Sequence, residues 1–490
     1  MAYLARLFMY LALITGSLSI AQSVYSEQTL NLTVDEVIRT TISQNTAIEA
    51  ESYTPGISEA DIMVKKGEFD PSFNLELNET YDRQKQSLEV LSTAQGQINY
   101  NASLTGKATT GTEYELKWQN YKYHGNSPYL SMYSYFSSGL SLTLKQPLLK
   151  GFLGLGIQLT NLNVAKNTFQ MSKYAYDAAV VKKAADAAKG YWELTTTRKA
   201  IEAATIALAL AQKTRDEVAA RIASGMAAPV DIYTAEAEVA VREEALLLAE
   251  KNAVNAENTL KGIMNVNLLN TRIETVSKPP SPAEPPTLRR GLLTPFESIV
   301  DQALKVRQDY QQTLIDKKNK DLLVRYYKNQ QLPDLSAVAS YGQIGLDSSF
   351  NHTMDELTSG NYFSWKAGLL LNIPIFNWKN RGNRIKAELE ARQIDATLRE
   401  IKKTIEVEAA EAYNNLNYGI KKIKASGKSL IAAEKKLEAQ DGMFKAGLTT
   451  LNDLLTFQRD YATAVYDEAR ARAEYAKYLV ELNRIQGLLP

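Results

Sequence analysis

The sequence predicts a mixed α+β fold built from two similar halves, each a set of strands followed by a very long helical hairpin. Three observations carry that expectation. A proline-rich stretch divides the chain, and turn motifs recur on either side of it at a fixed offset. Segments in both halves alternate apolar and polar residues with a period of two. Two very long stretches contain no proline and keep an apolar row at coiled-coil spacing.

The divider is Lys278-Pro279-Pro280-Ser281-Pro282-Ala283-Glu284-Pro285-Pro286, which can be neither helix nor central strand and reads as an extended connector. Around it the same order of parts repeats. Ser141-Leu142-Thr143-Leu144-Lys145-Gln146-Pro147 answers Leu369-Leu370-Leu371-Asn372-Ile373-Pro374, a strand closing on proline before a helix. Gly225 and Gly447, and likewise Asp231 and Asp453, lie 222 positions apart (447−225 and 453−231). The expected organisation is a leader over 1–26, a helical segment over 27–70, strands and loops over 71–147, and a long helical hairpin over 148–277. The connector over 278–294 follows, then a helical lead-in over 295–332, strands over 333–374 and a second long hairpin over 375–490.

The strand faces can be written down directly. Phe73, Leu75 and Leu77 form one face, as do Tyr114, Leu116 and Trp118, and Leu140, Leu142 and Leu144. In the second half the faces are Leu335, Ala337, Ala339 and Tyr341, and Ala367, Leu369, Leu371 and Ile373. One apolar and one polar face suits a sandwich or a barrel around a polar lumen. Tyr121, Tyr123, Tyr129, Tyr133, Tyr135 and Phe136 read as an interfacial aromatic girdle or as ordinary strand formers.

The first long helix is expected from about Leu159 to Ser224, on the order of 100 Å at 1.5 Å per residue. Its seam reads Val180, Ala184, Ala187, Tyr191, Leu194, Arg198, Ile201, Thr205, Leu208, Gln212, Arg215, Ala219 and Ile222. The second, from about Arg384 to Ala446, carries Leu398, Ile401, Ile405, Ala409, Ala412, Leu416, Ile420, Ile423, Leu430 and Leu437, with stutters that unwind a left-handed supercoil. Shorter alanine-rich partners follow at about Val230 to Met264 and Leu451 to Leu488.

Composition removes most chemistry. Lys+Arg 56 against Asp+Glu 55 leaves no field for nucleic acid. Cysteine is absent, which excludes disulfides, thiolate catalysis, thiolate metal sites and lipidation of an N-terminal cysteine. With two histidines, His124 and His352, a multi-histidine metal site within one chain is not expected. No catalytic constellation or phosphate-cradling loop is present, so the protein reads as no enzyme, with no cofactor and no metal. Arg6, the apolar run Leu7 to Ile20 and Ser19-Ile20-Ala21 read as a cleaved signal peptide, too short to span as a helix. No later segment is an apolar run of spanning length, so a membrane, if crossed, is crossed by strands.

Secretion without cysteine, duplicated strand–helix halves and very long helices together resemble the outer-membrane efflux protein (TolC-like) family over nearly the whole mature chain. The stretches that carry the resemblance are Gln146-Pro147-Leu148-Leu149-Lys150-Gly151-Phe152, Ile373-Pro374-Ile375-Phe376, the turns Gly225-Met226 to Asp231 and Gly447-Leu448 to Asp453, and the closing Tyr475 to Leu489. The resemblance implies a homotrimer whose chains share an outer-membrane β-barrel of twelve strands, two per half per chain. A long periplasmic α-helical barrel of coiled-coil hairpins continues it. It also implies passive efflux or type I secretion, with a periplasmic adaptor (membrane fusion) protein and an inner-membrane pump as partners. The first half departs from this pattern with additional alternating segments, Gln97 to Leu104 and Thr112 to Trp118, around Gly106-Lys107-Ala108-Thr109-Thr110-Gly111, for which an extra or extended extracellular hairpin is expected.

Two sets of residues are candidates for work. Gly225 and Gly447 suit left-handed positions ending the long helices, with Pro229 at the first position of the return helix. Asp231 and Asp453 either stabilise a helix N-terminus, with Thr450 an N-cap and Asp453 three residues on in a capping-box-like arrangement, or, by resemblance, form a carboxylate constriction favouring cations. Where the family's most-studied member carries a further aspartate this chain has Thr456, which weakens such a ring. The tip residues Gly225, Met226, Gly447 and Leu448 read as adaptor contacts, and Pro147 and Pro374 as strand-to-helix junctions. The rival reading is a structural or adhesive surface protein with a β head and a coiled-coil stalk, which the duplication disfavours. A helical-hairpin periplasmic adaptor would have one hairpin where this chain has two.

Overall fold

The structure, a computed structural model, describes residues 28–85, 87, 91–268, 271–279 and 296–489. The expected signal peptide and most of the proline-rich connector lie outside them. The described chain divides into two units, residues 53–175 with 309–401, and residues up to 52 with 176–308 and 402–490.

The first unit holds an antiparallel sheet. Its strands are β2 (Ser72–Arg83), β3 (Ala94–Lys107), β4 (Glu113–Gly125), β5 (Ser134–Pro147), β7 (Asp334–Asp347) and β8 (Phe363–Asn372), in the order β2-β3-β4-β5-β7-β8. Residues directly opposite share a face, so the register assigns every side chain. Phe73, Leu75 and Leu77 oppose Leu104, Ala102 and Tyr100; Trp118 opposes Ala102 and Leu140; Leu142 opposes Leu116 and Tyr341; Trp365 opposes Tyr341. Over these rungs one face is therefore apolar from edge to edge, while toward Gly345 the same face also carries Glu79, Asn120, Lys122 and Ser138. The other carries Asn74, Glu76, Asn99, Asn101, Ser103, Glu113, Lys117, Ser141, Thr143, Lys145, Ser340 and Lys366. Near one rim of that polar face Glu113 bridges Lys107 at 3.3 Å and Lys145 at 3.1 Å.

Three expectations change here. The second half supplies two strands but the first supplies four, so the sheet holds six strands per chain where the resemblance implied four. The Gly106–Gly111 turn is not on the far rim. Four strands separate Ser72 from Pro147, so the middle turn must return to the rim where the helices begin. There a Cβ on Gly111, at φ +90°, would lie 2.9 Å from the Gly151 carbonyl oxygen. Tyr121, Tyr123 and Tyr135 make no girdle on the apolar face; they cluster on the polar face, with ring centres 6.1 and 5.2 Å apart.

Between β7 and β8 runs a ten-residue helix (Phe350–Ser359) that packs on the apolar face at the far rim. Phe350 meets Tyr100 and Phe136, Thr353 and Leu357 are buried, and Asn351, His352, Asp355 and Thr358 point away into solvent. Beneath it lie Gly345, Asn120 and Ser138, the last two fully buried and hydrogen-bonded to each other.

The second unit is helical. In chain order the helices of the two units are α1 (Val34–Gln44), α2 (Thr46–Gly67), α3 (Ile157–Ala223), α4 (Asp231–Met264), α5 (Phe296–Val306), α6 (Gln308–Asn329), α7 (Phe350–Ser359, the helix on the sheet), α8 (Trp378–Lys445) and α9 (Leu451–Ile485). α3 and α8, at 67 and 68 residues, are the two long helices expected. No helix among the described residues is long and apolar enough to cross a membrane. Strands β1 (Gln28–Leu32) and β6 (Thr271–Thr275) pair in parallel and lie against a core of Val37, Ala184, Ala187, Ala188, Tyr191, Leu194, Leu260, Met264 and Ile273. The Tyr191 hydroxyl joins both strands' ends, donating to Leu32 O at 3.1 Å and accepting from Ser277 N at 2.7 Å. Gly190 permits the close approach of α3 and α4: a Cβ there would stand 3.3 Å from Leu260.

Along α8 the expected row is buried at Ile405, Ala409, Ala412, Leu416 and Ile423. The distal half of α3 differs. Its buried row within the chain is Ala203, Ala207, Ala211, Thr214 and Val218, while Thr205 and Ala219 of the expected seam are exposed. Alanines let neighbouring helices approach closely, so in this half the small residues, not the larger apolar ones, take the inner face.

Candidate functional site

At the far ends of the two long helices the chain makes the same turn twice. In each, glycine takes the left-handed conformation that ends a helix, Gly225 at φ +71° and Gly447 at φ +74°. The closing hydrogen bonds repeat in kind: Gly225 N to Ile222 O at 3.0 Å and Met226 N to Arg221 O at 2.8 Å, against Gly447 N to Phe444 O at 3.0 Å and Leu448 N to Met443 O at 2.9 Å. Both pairs are the Schellman pattern, which satisfies carbonyls otherwise left open. The next side chains, Met226 and Leu448, are 73% and 78% exposed, so they stand outside any core of the chain itself.

The two turns are held together. Arg221 donates to Phe444 O and Lys445 O, and Val218, Phe444 and Leu454 form a small core with Ile222, Ile232, Leu437 and Leu451 packed on it. A buried hydrogen bond of 2.8 Å from Gln458 to Thr214 ties α9 to α3 just beyond.

The two aspartates part company. Asp453 closes a capping box: Thr450 Oγ1 donates to its carboxylate at 2.6 Å and accepts from Asp453 N at 3.2 Å, and Thr449 Oγ1 adds a bond at 3.2 Å. The Thr450 and Thr449 hydroxyls and the Thr450 amide hold this exposed carboxyl below the usual aspartate range. Asp231 sits at the first residue of α4, where the helix dipole favours its charge, and its side chain makes no hydrogen bond or ion pair to a described residue. Pro229 does not begin α4; it lies in the turn ahead of Val230, which occupies the cap position without a capping side chain.

Pro147 is the last residue of β5, opposite Ser336, and a short 3₁₀ turn at Phe152–Gly154 precedes α3. Pro374 lies beyond the end of β8 and before α8. Asn residues secure these junctions, a signal the sequence reading missed. Asn329 donates to Leu149 O at 3.1 Å and accepts from Gly151 N at 2.7 Å, while Asn377, at φ +49°, donates to Gln331 O at 3.1 Å. Among the described residues no group of three His, Asp or Glu side chains is placed to hold a metal.

Comparison with known proteins agrees with this anatomy. The family model for outer membrane efflux proteins matches residues 37–266 and 299–488, one block on each half and each including one of the glycine turns. The outer membrane protein TolC of Vibrio cholerae is 23% identical over 322 residues, 62% of this chain and 67% of that protein. Among solved structures, CusC superposes with a TM-score of 0.68 at 13% identity, covering 96% of this chain and 95% of that one. The outer membrane protein VceC of Vibrio cholerae superposes at 0.65 and 14% identity, covering 93% and 96%. The chain therefore belongs to the outer membrane efflux protein family and has its TolC-like fold in two repeats, which makes it a non-enzymatic outer-membrane efflux channel.

Proposed function

We propose that three copies of this chain form a passive exit conduit, its strands in the outer membrane and its helical hairpins in the periplasm, exported by the N-terminal signal peptide. A periplasmic adaptor docks on the turns at Gly225-Met226 and Gly447-Leu448, and an inner-membrane pump supplies energy and cargo. The observation that carries this reading is the two-faced sheet, apolar on one side across the rungs of Leu116, Leu142 and Tyr341 and lined with Asn, Ser, Glu and Lys on the other. An apolar outer face meets lipid while the polar face lines water. The exposed Met226 and Leu448 support the docking assignment, since apolar side chains on a turn with no core to enter are suited to a partner.

At the turns Asp231 and Asp453 form the constriction, three copies of each around the aperture. Carboxylate rings favour cations. Asp231 carries more of that role because its carboxylate is uncommitted, whereas Asp453 is engaged by Thr449 and Thr450. Single-channel recording in planar bilayers tests both levels. Discrete cation-preferring steps are expected, with selectivity reduced in Asp231→Asn and less so in Asp453→Asn. Folded, inserted protein that gives no steps overturns the channel reading; steps indifferent to both substitutions leave the channel and remove the constriction.

A further inference from the structure

The six-stranded sheet is open. β2 and β8 are its edges; β8 is exposed at every residue and β2 at every residue but Asp82. Leu75 and Leu77 on β2 are 77% and 79% exposed and Leu369 on β8 is 70%, against 40% for Leu116 and 43% for Leu142 in mid-sheet. The difference is the missing neighbour on one side. In hydrocarbon an unpaired strand edge leaves a row of unsatisfied N–H and C=O groups, each costly, so spanning sheets close.

Resting on the trimeric-channel reading, we propose that β2 of each copy pairs with β8 of the next, so that three chains close a barrel of eighteen strands. Strand direction permits this. β2 runs from the helix-bearing rim outward, and an even number of strands brings β8 back toward that rim, so a neighbouring β2 meets it antiparallel, as every other pair in the sheet is. Face also permits it. A register placing Phe73 level with Leu371, or shifted by two residues, keeps both apolar faces on one side, whereas a one-residue slip would turn Leu75 into the lumen. In these registers Glu76 and Lys366 come onto the same polar face at or near neighbouring rungs, an opposite-charge pair across the junction. The edges match in reach: β8 has 10 residues and β2 has 12, and ten residues tilted by about 40° span roughly 25 Å, the height of an outer-membrane apolar band.

The count sets the calibre. With strands about 4.8 Å apart and tilted about 40°, eighteen give a backbone diameter of about 36 Å, where the twelve implied by the resemblance give about 24 Å. The bore through the membrane is thus widened by the additional pair of strands in the first half.

The cysteine-free chain makes the test direct. Leu75→Cys is combined in one chain with Leu371→Cys, Leu369→Cys or Ala367→Cys, and the membrane-inserted trimers are treated with a short thiol cross-linker. One member of this set is expected to give covalently closed trimers under denaturing conditions, since the two cysteines of one chain sit on opposite edges and react only between copies. Leu116→Cys on β4 with Leu369→Cys is expected to give none. Conducting trimers that cross-link β4 to β8, and not β2 to β8, would overturn the proposal in favour of twelve strands with β2 and β3 outside the wall. Channels whose membrane-side bore admits only neutral polymers sized for a twelve-stranded barrel would overturn it too. A protein that is no trimer before cross-linking brings down the channel reading itself, and the eighteen strands with it.

Discussion

The Arg221 guanidinium stands 4.4 Å from the centre of the Phe444 ring and donates a 2.6 Å hydrogen bond to the Phe444 carbonyl oxygen. One residue thus ends its own helix and closes its counterpart's, since Lys445 O accepts from the same guanidinium at 2.8 Å. Cations at helix C-termini are favoured by the dipole, and Arg over an aromatic face adds to that.

Arg221→Ala should therefore loosen both turns together. The expected loss is about 1–3 kcal/mol of local stability, from charge-assisted hydrogen bonds and the ring contact. Amide exchange around 218–228 and 440–452 should accelerate in step, with the rest of the chain unchanged. Exchange that rises on one turn alone would show that the turns are independent.

The capping box makes the second turn sensitive to acid. The Asp453 carboxyl is held below its unfolded value, so its contribution is present above the ordinary aspartate range and is lost as pH falls through the depressed folded value. Thr450→Ala should raise the Asp453 pKa toward that of a free aspartate and weaken the start of α9 by about 1 kcal/mol. Titration by carbonyl-carbon NMR checks it.

Gly225→Ala and Gly447→Ala should cost about the same, roughly 1–2 kcal/mol each, because both glycines have positive φ and open space where a Cβ would go. Gly345→Ala should act differently. Its Cβ would lie 2.1 Å from the Thr353 carbonyl oxygen, so α7 must lift from the sheet. Faster proteolysis within 348–362, with the trimer intact, is the expected sign.

A half-buried ionic cluster links α3, α8, α9 and Arg307, the residue between α5 and α6. Glu481 accepts from Lys189 at 2.5 Å and from Arg484 at 2.6 Å, and Arg484 also reaches Glu408 at 3.2 Å, which pairs with Arg307. Burial alone would raise the Glu481 carboxyl, but the bonds from Arg484 and Lys189 outweigh it and hold it low. Its stabilisation is thus present above the ordinary glutamate range and fades as pH drops below it. Glu481→Gln should lower stability near neutral pH by about 1 kcal/mol after allowance for solvent screening, and flatten the acid limb of the unfolding curve.

The strand faces were legible because a period of two leaves no ambiguity once one residue is placed: Phe73, Trp118, Leu142 and Leu369 all lie on the expected side. The second long seam was equally legible, its Ile405 and Leu416 being large enough to mark the inner face. Alanine marks no face, which is why the row at Ala203, Ala207 and Ala211 was misplaced. The β1–β6 pair joins segments far apart in sequence through five residues each, too few for periodicity to register. α7 hid in a polar loop, its inner face only Phe350, Thr353, Met354 and Leu357. At the turns the glycines were readable from type and the Thr450–Asp453 box from spacing, but the added bond from Thr449 and the open side chain of Asp231 depend on side-chain directions that sequence does not give.

The helix α7 has a mechanical consequence. Its outward side chains, Asn351, His352, Asp355 and Thr358, cannot enter hydrocarbon, yet it is fastened to the apolar side of the wall over Gly345 and Phe136. It works as a waterline stop. The wall can settle into the bilayer until lipid headgroups meet α7 and no deeper, so immersion is fixed between Tyr341 and Gly345 on β7. An outer-membrane channel with such a stop keeps one depth in its bilayer.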